Sequence, residues 1–372
     1  MGKAKYPVVV YGASGYTGML IMDWLIDEGI PFSAVARDAA RADQMMKSRV
    51  VGLEHSVYEI IECQHDVDAL AKVFRGARVV CNTVGPFLSY GLVGVEAALK
   101  AGCHYLDTTG EQQYIRSVQD QFGKSFAEAG LLCAPSTAYM HTVAEIGAEL
   151  ALETPGIDTL DIACLPTCLP TVGSSKSIVQ MFDMEEKFLK DNQLVDHPRA
   201  TSYEIACPDY LTTMFALPWG AASHPVIYEN DPRVRNCRTL TGFANAQDTM
   251  RGIHAFAVQW EDGLKDLPEE ERNAALAQLA GDTAPTMPPR ERLVESRNVD
   301  YIVGRGNLAS VQVSMYSVAP YITTGAVQAA AVCKLLENDT RKVGFASACQ
   351  AFGHDYLLAY LEERGLCRAK VY

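Results

Sequence analysis

Apolar and polar positions change places in blocks along the first third of the chain. Val8-Val-Val-Tyr11 is an unbroken apolar run, and Met19 to Asp27 spaces its apolar residues as a helix does. Between them stand Gly12, Gly15 and Gly18 at three-residue steps. The exchange then repeats. Pro31–Ala36, Val57–Glu62, Ala77–Asn82, His104–Asp107 and Leu131–Ala134 read as strands, and Val67–Phe74, Gly91–Ala101 and Gln112–Ala129 read as helices, the last two closed by Gly102 and Gly130. Strands alternating with helical segments at this spacing predict a parallel, doubly wound α/β sheet. Six such steps fill residues 6 to about 135.

Beyond that point the pattern turns irregular and proline-punctuated. Val143–Leu152 and Ser175–Leu189 read as helices, Leu267–Ala280 as a charged surface helix, and Thr159–Cys164, Thr239–Phe243, Ile253–Trp260 and Asn307–Tyr316 as strands. This suits an α+β domain with a mostly antiparallel sheet. Two helices, Thr324–Leu336 and Val343–Arg364, close the chain.

At 372 residues the chain is long enough for two or three domains. Hydrophobic content of 48% and charged content of 21% are those of a protein with a full core. A net charge of −13 argues against nucleic acid and anionic membrane as partners. The eleven cysteines are scattered, without Cys-x-x-Cys or Cys/His ligand spacing, so they read as core thiols in a reducing compartment, with no metal site. No apolar run reaches membrane-spanning length, and the first strand follows the N-terminus too closely for a targeting peptide; the expected location is cytoplasmic.

Chemistry concentrates at the predicted strand ends. A helix start offers unpaired N–H groups and the positive end of its dipole, which suits a pyrophosphate. Gly12 permits the turn off the strand, Gly15 keeps bulk away from the phosphates, and Gly18 lets helix and strand approach; Ser14, Tyr16 and Thr17 complete the cofactor turn. The second strand ends at Arg37-Asp38, where the ribose 2′ position is read. A carboxylate there accepts from a 2′-hydroxyl, and a guanidinium fits a 2′-phosphate. Arg37 comes first and Arg41 lies four residues on, which predicts NADP, with Asp38 pulling toward NAD.

Asn82, Thr83, Gly85 and Pro86, after the fourth strand, are expected to border ribose and nicotinamide, with Phe87 as an apolar wall on the substrate side. Asp107 and Thr109, after the fifth, join the cofactor set, and Glu111 the substrate set; the alternative is a helix cap at Asp107 with Glu111 as its box partner. Hydride transfer needs a proton source, and without a metal Tyr and His are the usual donors. Tyr139 and His141, in the loop after the sixth strand, and Tyr90 are the candidates. In the second domain Ser175 and Lys176 stand at a helix start suited to an anionic group, and Trp219 and His224 lie in an aromatic, glycine-rich loop that could wall a substrate pocket. No Gly-x-Ser-x-Gly elbow supports a serine nucleophile.

Gly12-Ala-Ser-Gly-Tyr-Thr-Gly18, Asn82-Thr-Val-Gly-Pro-Phe87 with Tyr90-Gly91, and Ala101-Gly-Cys-His-Tyr-Leu-Asp-Thr-Thr-Gly-Glu111 together resemble the saccharopine dehydrogenase-like oxidoreductase superfamily, nearest its trans-acting enoyl reductase and uncharacterised branch. Pro320-Tyr-Ile-Thr-Thr-Gly325 is also similar to that family. The resemblance implies an N-terminal Rossmann domain (1–140), an inserted α+β substrate domain (141–318), and C-terminal helices (319–372) returning to the first domain. It implies NADP(H), hydride transfer and homodimerisation. The enoyl branch carries Gly-Phe-Asp-Ser-x-Pro-Ser-Asp after the sixth strand; here Ala138-Tyr-Met-His-Thr-Val-Ala-Glu145 stands instead. No clustered arginines answer to the paired carboxylates of saccharopine. The expected activity is NADPH-dependent reduction of a conjugated C=C in a mostly apolar small molecule. An imine or carbonyl reductase, a silent dinucleotide-binding protein, and a lyase or isomerase with fixed NADP are the alternatives.

Overall fold

The computed structural model describes residues 2–168, 170–208, 211–218, 223–284 and 286–372. In chain order the first elements are β1 (Val8–Tyr11), α1 (Tyr16–Asp27), β2 (Phe32–Ala36), α2 (Ala39–Arg49), β3 (Tyr58–Glu62), α3 (Val67–Phe74), β4 (Val79–Asn82), α4 (Phe87–Ala101), β5 (His104–Asp107), α5 (Gln112–Glu128), β6 (Leu132–Ala134) and α6 (Tyr139–Leu152). The middle of the chain forms β7 (Thr159–Leu165), α7 (Val172–Gln180), β8 (Lys187–Lys190), β9 (Gln193–Asp196), β10 (Tyr203–Ile205), β11 (Met214–Ala216), α8 (Ser223–Tyr228), β12 (Asn236–Thr241), α9 (Gln247–Glu261), α10 (Glu269–Thr283), β13 (Arg297–Arg305) and β14 (Ser310–Val318). Then follow α11 (Pro320–Glu337), β15 (Gly344–Phe345), α12 (Ala348–Phe352), α13 (His354–Glu363) and β16 (Cys367–Val371).

Two compact units result. One holds residues 1–109, 114–142 and 321–361; the other holds 110–113, 143–320 and 362–372. The first unit is a parallel sheet in the order β15-β6-β5-β4-β1-β2-β3 among the described residues. The order reverses at β1, which places β1, β2 and β4 at the switch point where such sheets bind ligands. Its central strands are buried on both faces, as parallel strands must be. The C-terminal helices are fastened to this unit by specific bonds. Trp24 Nε1 donates to Ile322 O at 3.0 Å, Arg78 to the carbonyls of Leu335 and Leu336 at 2.9 and 2.8 Å, and Tyr360 to Glu28 Oε1 at 2.6 Å.

The second unit is α+β. Its sheet runs β16-β14-β13-β7-β12-β8-β9, with β7 and β12 parallel and the other described pairings antiparallel. The residue-143-onward part of α6 lies on this sheet through Gly147, where a Cβ would stand 2.5 Å from Ile302 Cδ1 and 2.8 Å from Met315 Cγ.

Three segments differ from the sequence reading. Ile253–Trp260, read as a strand, lies inside α9, because Met250, Ile253, Ala257 and Trp260 form one buried face at helical spacing. Ser175–Leu189 is not one helix. Thr171 caps α7, which ends at Gln180, and the chain enters β8, which pairs with β9. Val343–Arg364 divides into β15, α12 and α13; Ser347 and Gln350 form a capping box, and Gly353 at φ 88° breaks the helix after it.

Gly325 brings α11 against α1. An added Cβ there would lie 2.5 Å from Leu20 O and 2.8 Å from Trp24 Cδ1. Gly325→Ala is expected to destabilise the first unit by about 1–3 kcal/mol, the range for overpacking, read as a lowered thermal midpoint.

Candidate functional site

The glycine turn has the geometry its sequence requires. Gly12 adopts φ 96°, a conformation open to glycine. Its N–H and that of Ala13 donate to Val35 O at 3.0 and 3.2 Å, and Gly15 N donates to Gly12 O at 2.8 Å. A Cβ on Gly12 would meet Thr83 Oγ1 at 2.5 Å, and one on Gly18 would meet Gly12 O at 2.6 Å. A Cβ on Gly15 would stand 3.1 Å from Gly12 O. The three glycines thus hold the turn close to the strand-end loop at Thr83, with the first turn of α1 opening from it: a backbone cradle that fits a pyrophosphate. Ser14 and Thr17 are partly exposed on this turn, while Tyr16 is buried, its ring edge-on to Tyr321 at 5.3 Å.

Arg37 and Arg41 are both exposed beyond β2. Asp38 is occupied: its Oδ1 accepts from Arg41 N at 2.9 Å and caps α2. After β3, His65 reaches across to β1. Tyr11 OH and His65 Nδ1 are 2.7 Å apart, and their rings stack with centroids 6.2 Å apart. Burial and the Arg37 charge lower the His65 pKa. Tyr90, a proton-donor candidate from the sequence, is 47% exposed and sits edge-on to His65 at 5.5 Å.

Beneath the strand ends lies a buried polar chain. Asn82 Nδ2 donates to Tyr105 OH at 2.9 Å, the Tyr105 and Tyr114 hydroxyls are 2.9 Å apart, and Tyr114 OH donates to Asp107 Oδ2 at 2.9 Å. Asp107 Oδ1 accepts from Thr109 N at 3.0 Å and Ser136 N at 2.9 Å. Its carbonyl accepts from Thr137 N at 2.8 Å and Gln328 Nε2 at 3.2 Å. Burial pushes Asp107 from 3.8 up to about 6, against these bonds, which favour its charged form.

The chain corrects several expectations. Asn82 is 1% exposed, and its amide orders the loop, taking Val84 N at 2.9 Å on Oδ1. Asp107 and Thr109 are buried for the same reason, and Asp107 is not a helix cap, since α5 starts at Gln112. Phe87 is no open wall. It is buried at the start of α4, its ring 5.5 Å from Tyr114. What remains outward is the loop backbone at Thr83, Gly85 and Pro86, of which Gly85 is exposed.

Tyr139 and His141 stand in the first turn of α6, not in a loop. Tyr139 N donates to Thr324 Oγ1 at 3.1 Å, and both side chains are buried, at 1% and 5% exposure. They follow Ser136, which holds φ 60° and has a buried Oγ without a hydrogen-bond partner among the described residues. In the second unit Glu111 is buried and Lys176 exposed. Ser175 is buried on the opposite side of α7 and lines an apolar pocket with Val179, Phe243, Ile253 and Leu279; its hydroxyl lacks a partner. His224 is not a pocket wall: it is fully buried in α8, with Nδ1 3.1 Å from Thr239 Oγ1. Trp219 lies outside the described residues.

The sequence reading missed Tyr105, Tyr114 and His65. A signal existed for the first two. Gly91 and Gly94 sit three apart on α4, and a Cβ there would meet the Tyr114 ring at 2.3 Å and Asn82 Nδ2 at 2.8 Å.

Turn, switch point and strand-end loops are those of an NADP-binding Rossmann unit, and residues 8–133 match the saccharopine dehydrogenase NADP binding domain. Residues 142–372 match the family of unknown function DUF5938, and the chain belongs to that family. The fold is that of apo saccharopine dehydrogenase (L-Glu forming) from Saccharomyces cerevisiae, with a TM-score of 0.62, 13% identity, and coverage of 99% of this chain and 100% of that one. A lipid droplet localized protein of Caenorhabditis elegans is 30% identical over 151 residues, 39% of this chain and 35% of that protein. A trans-acting enoyl reductase of Mycobacterium bovis is 32% identical over 132 residues, 34% of this chain and 30% of that protein. The chain thus spans about a third of the length of these relatives. No helix among the described residues is long and apolar enough to cross a membrane.

Tyr114→Phe removes the hydroxyl shared by Tyr105 and Asp107, and is expected to cost about 1–3 kcal/mol, the range for leaving buried polar groups short of a partner. Because the folded pKa of Asp107 lies above its unfolded value, its contribution is full below about 3.8 and is lost as pH rises through about 6. Losing a bond to the charged form raises that pKa further, so thermal melts of the variant should show the loss extending to higher pH.

Proposed function

We propose that the protein is an NADPH-dependent reductase of a conjugated C=C in a mostly apolar small molecule. The observation that carries the cofactor preference is the capping role of Asp38. Its carboxylate is bonded to Arg41 N, so Arg37, with the Arg41 guanidinium beyond it, is left to read the ribose 2′ position. A guanidinium there favours a 2′-phosphate through charge-assisted, two-pronged bonding. The backbone at Gly12, Gly15 and Gly18 would hold the pyrophosphate, and the Thr83–Pro86 backbone would border the ribose and nicotinamide. Tyr90 and His65 would flank the adenosine end. When bound, the nicotinamide supplies a hydride.

In this reading Tyr139 or His141 delivers the proton to the reduced carbon; their burial in the first turn of α6 excludes bulk water as a competing source. Ser175 and the apolar residues beside it support an apolar substrate, as do the enoyl reductase and lipid droplet relatives. An imine or carbonyl reductase is the second reading, favoured by the saccharopine dehydrogenase fold alone; product analysis separates the two.

Paired titrations with NADPH and NADH test the cofactor. Arg37→Ala is expected to weaken NADPH by about 1.5–3 kcal/mol, roughly 10- to 100-fold in Kd, and to leave NADH unchanged. Equal weakening of both would remove Arg37 from 2′-phosphate recognition. With an enone acceptor, the double variant Tyr139→Phe and His141→Ala should lose turnover while keeping its NADPH Kd; full turnover would exclude both as proton donors.

A further inference from the structure

A buried carboxyl in the second unit stands unbonded among the described residues. Glu186, just before β8, is 5% exposed, and neither of its carboxyl oxygens has a hydrogen-bond partner there. Its backbone is engaged, the carbonyl accepting from His197 N at 2.7 Å. A buried polar group left unmet costs about 1–3 kcal/mol, more when charged, so native proteins rarely keep one without a use.

The charged groups nearby are committed elsewhere. Arg199, whose charge acts on Glu186, is 3.5 Å from Glu261, bonds to the carbonyls of Met181 and Met184, and lies over the Phe182 ring. Lys187 turns its ammonium to Asp196 and Glu185. Asp183 pairs with Arg272 at 3.4 Å. His197, pushed down to about 4 by burial and Arg238, is neutral and faces Tyr203 OH at 3.1 Å. The strip 110–113 closes the other side: Gln112 brackets the Lys187 backbone at 2.9 and 2.8 Å, and Gln113 donates to Glu185 O while its own Oε1 stays buried and unpartnered.

We propose that Glu186 binds the carbonyl oxygen of an uncharged organic substrate, its carboxyl donating the hydrogen bond. The class of substrate rests on the reductase reading above. Burial outweighs Arg199 and pushes Glu186 up to about 8. The group is then a neutral acid at pH 7, with one O–H to give. A neutral donor selects an acceptor, not a cation. Among the described residues, no three His, Cys, Asp or Glu side chains stand together to hold a metal here.

Infrared difference spectroscopy on the full chain, loaded with NADP+ and probed with 2-cyclohexen-1-one, tests this without turnover. Wild type should show the carbonyl stretch of a protonated carboxyl at pH 7, Glu186→Gln should lack it, and the enone should shift it to lower frequency. The enone Kd should rise roughly tenfold in Glu186→Leu and less in Glu186→Gln, whose amide still donates. A band that the enone leaves unmoved means an internal water satisfies the acid, and overturns the proposal. So does the absence of the band, since Glu186 is then ionised. Failure of the reductase reading would show separately, as no NADPH oxidation with an enone that still moves the band.

Discussion

The Asp107 carboxylate is the point on which the first unit's strand-end loops depend. It is fully buried, and among the described residues no cation is bonded to it. Its charge is met by two backbone amides and a tyrosine hydroxyl, each from a different piece of chain: its own strand end, the turn after β6, and α5. The tyrosine passes the bonding on through Tyr105 to Asn82, which in turn sets the loop after β4. Buried polar chains of this kind reward full satisfaction and punish any gap. The loops that would border a nicotinamide and the first turn of α6 therefore share one support.

That support also explains a strained residue. Ser136 occupies the left-handed region at φ 60°, which costs a non-glycine residue energy. Its N–H is the one that Asp107 takes, and the next residue's N–H goes to the Asp107 carbonyl. The reversed backbone lets consecutive amides point at one aspartate. Gln328 clamps the same turn from α11, bonding both the Asp107 and Thr137 carbonyls. The C-terminal helix so completes the strand-end architecture of the first unit.

How far the chain could be read in advance follows from the range of the forces involved. The glycine turn and the order of strands and helices up to β6 are local: run length, period and glycine spacing carry them. Asn82 and Asp107 are legible as polar residues at strand ends, but the tyrosines that meet them are not. The partner of Asp107 on α11 is 221 residues away in sequence. Tyr139 and His141 read as loop residues from sequence, while in the structure Tyr139 N donates to Thr324 Oγ1, 185 residues away, at the start of α6. In the second unit, α9 defeated a strand reading because exposed Val258 and partly buried Phe256 mask a helical face that only its partners reveal.

Electrostatics on the β1–β3 side of the first unit shows how a strongly acidic chain can still suit an extra phosphate. The chain carries a net charge of −13, yet a ligand at the end of β2 meets local charges, since those beyond a Debye length are screened. The two acids nearest that point are both turned to backbone amides: Asp38 to Arg41 N, and Glu62 Oε2 to Ala39 N at 3.1 Å. Both lie at the start of α2, where the helix dipole favours negative charge. Using the acids to start a helix leaves the guanidinium of Arg37 as the uncommitted sign at that edge, strong enough to act on both Tyr11 and His65. Capping thus occupies the carboxylate that could otherwise accept from a 2′-hydroxyl, and freeing Asp38 from the cap would also cost α2 stability.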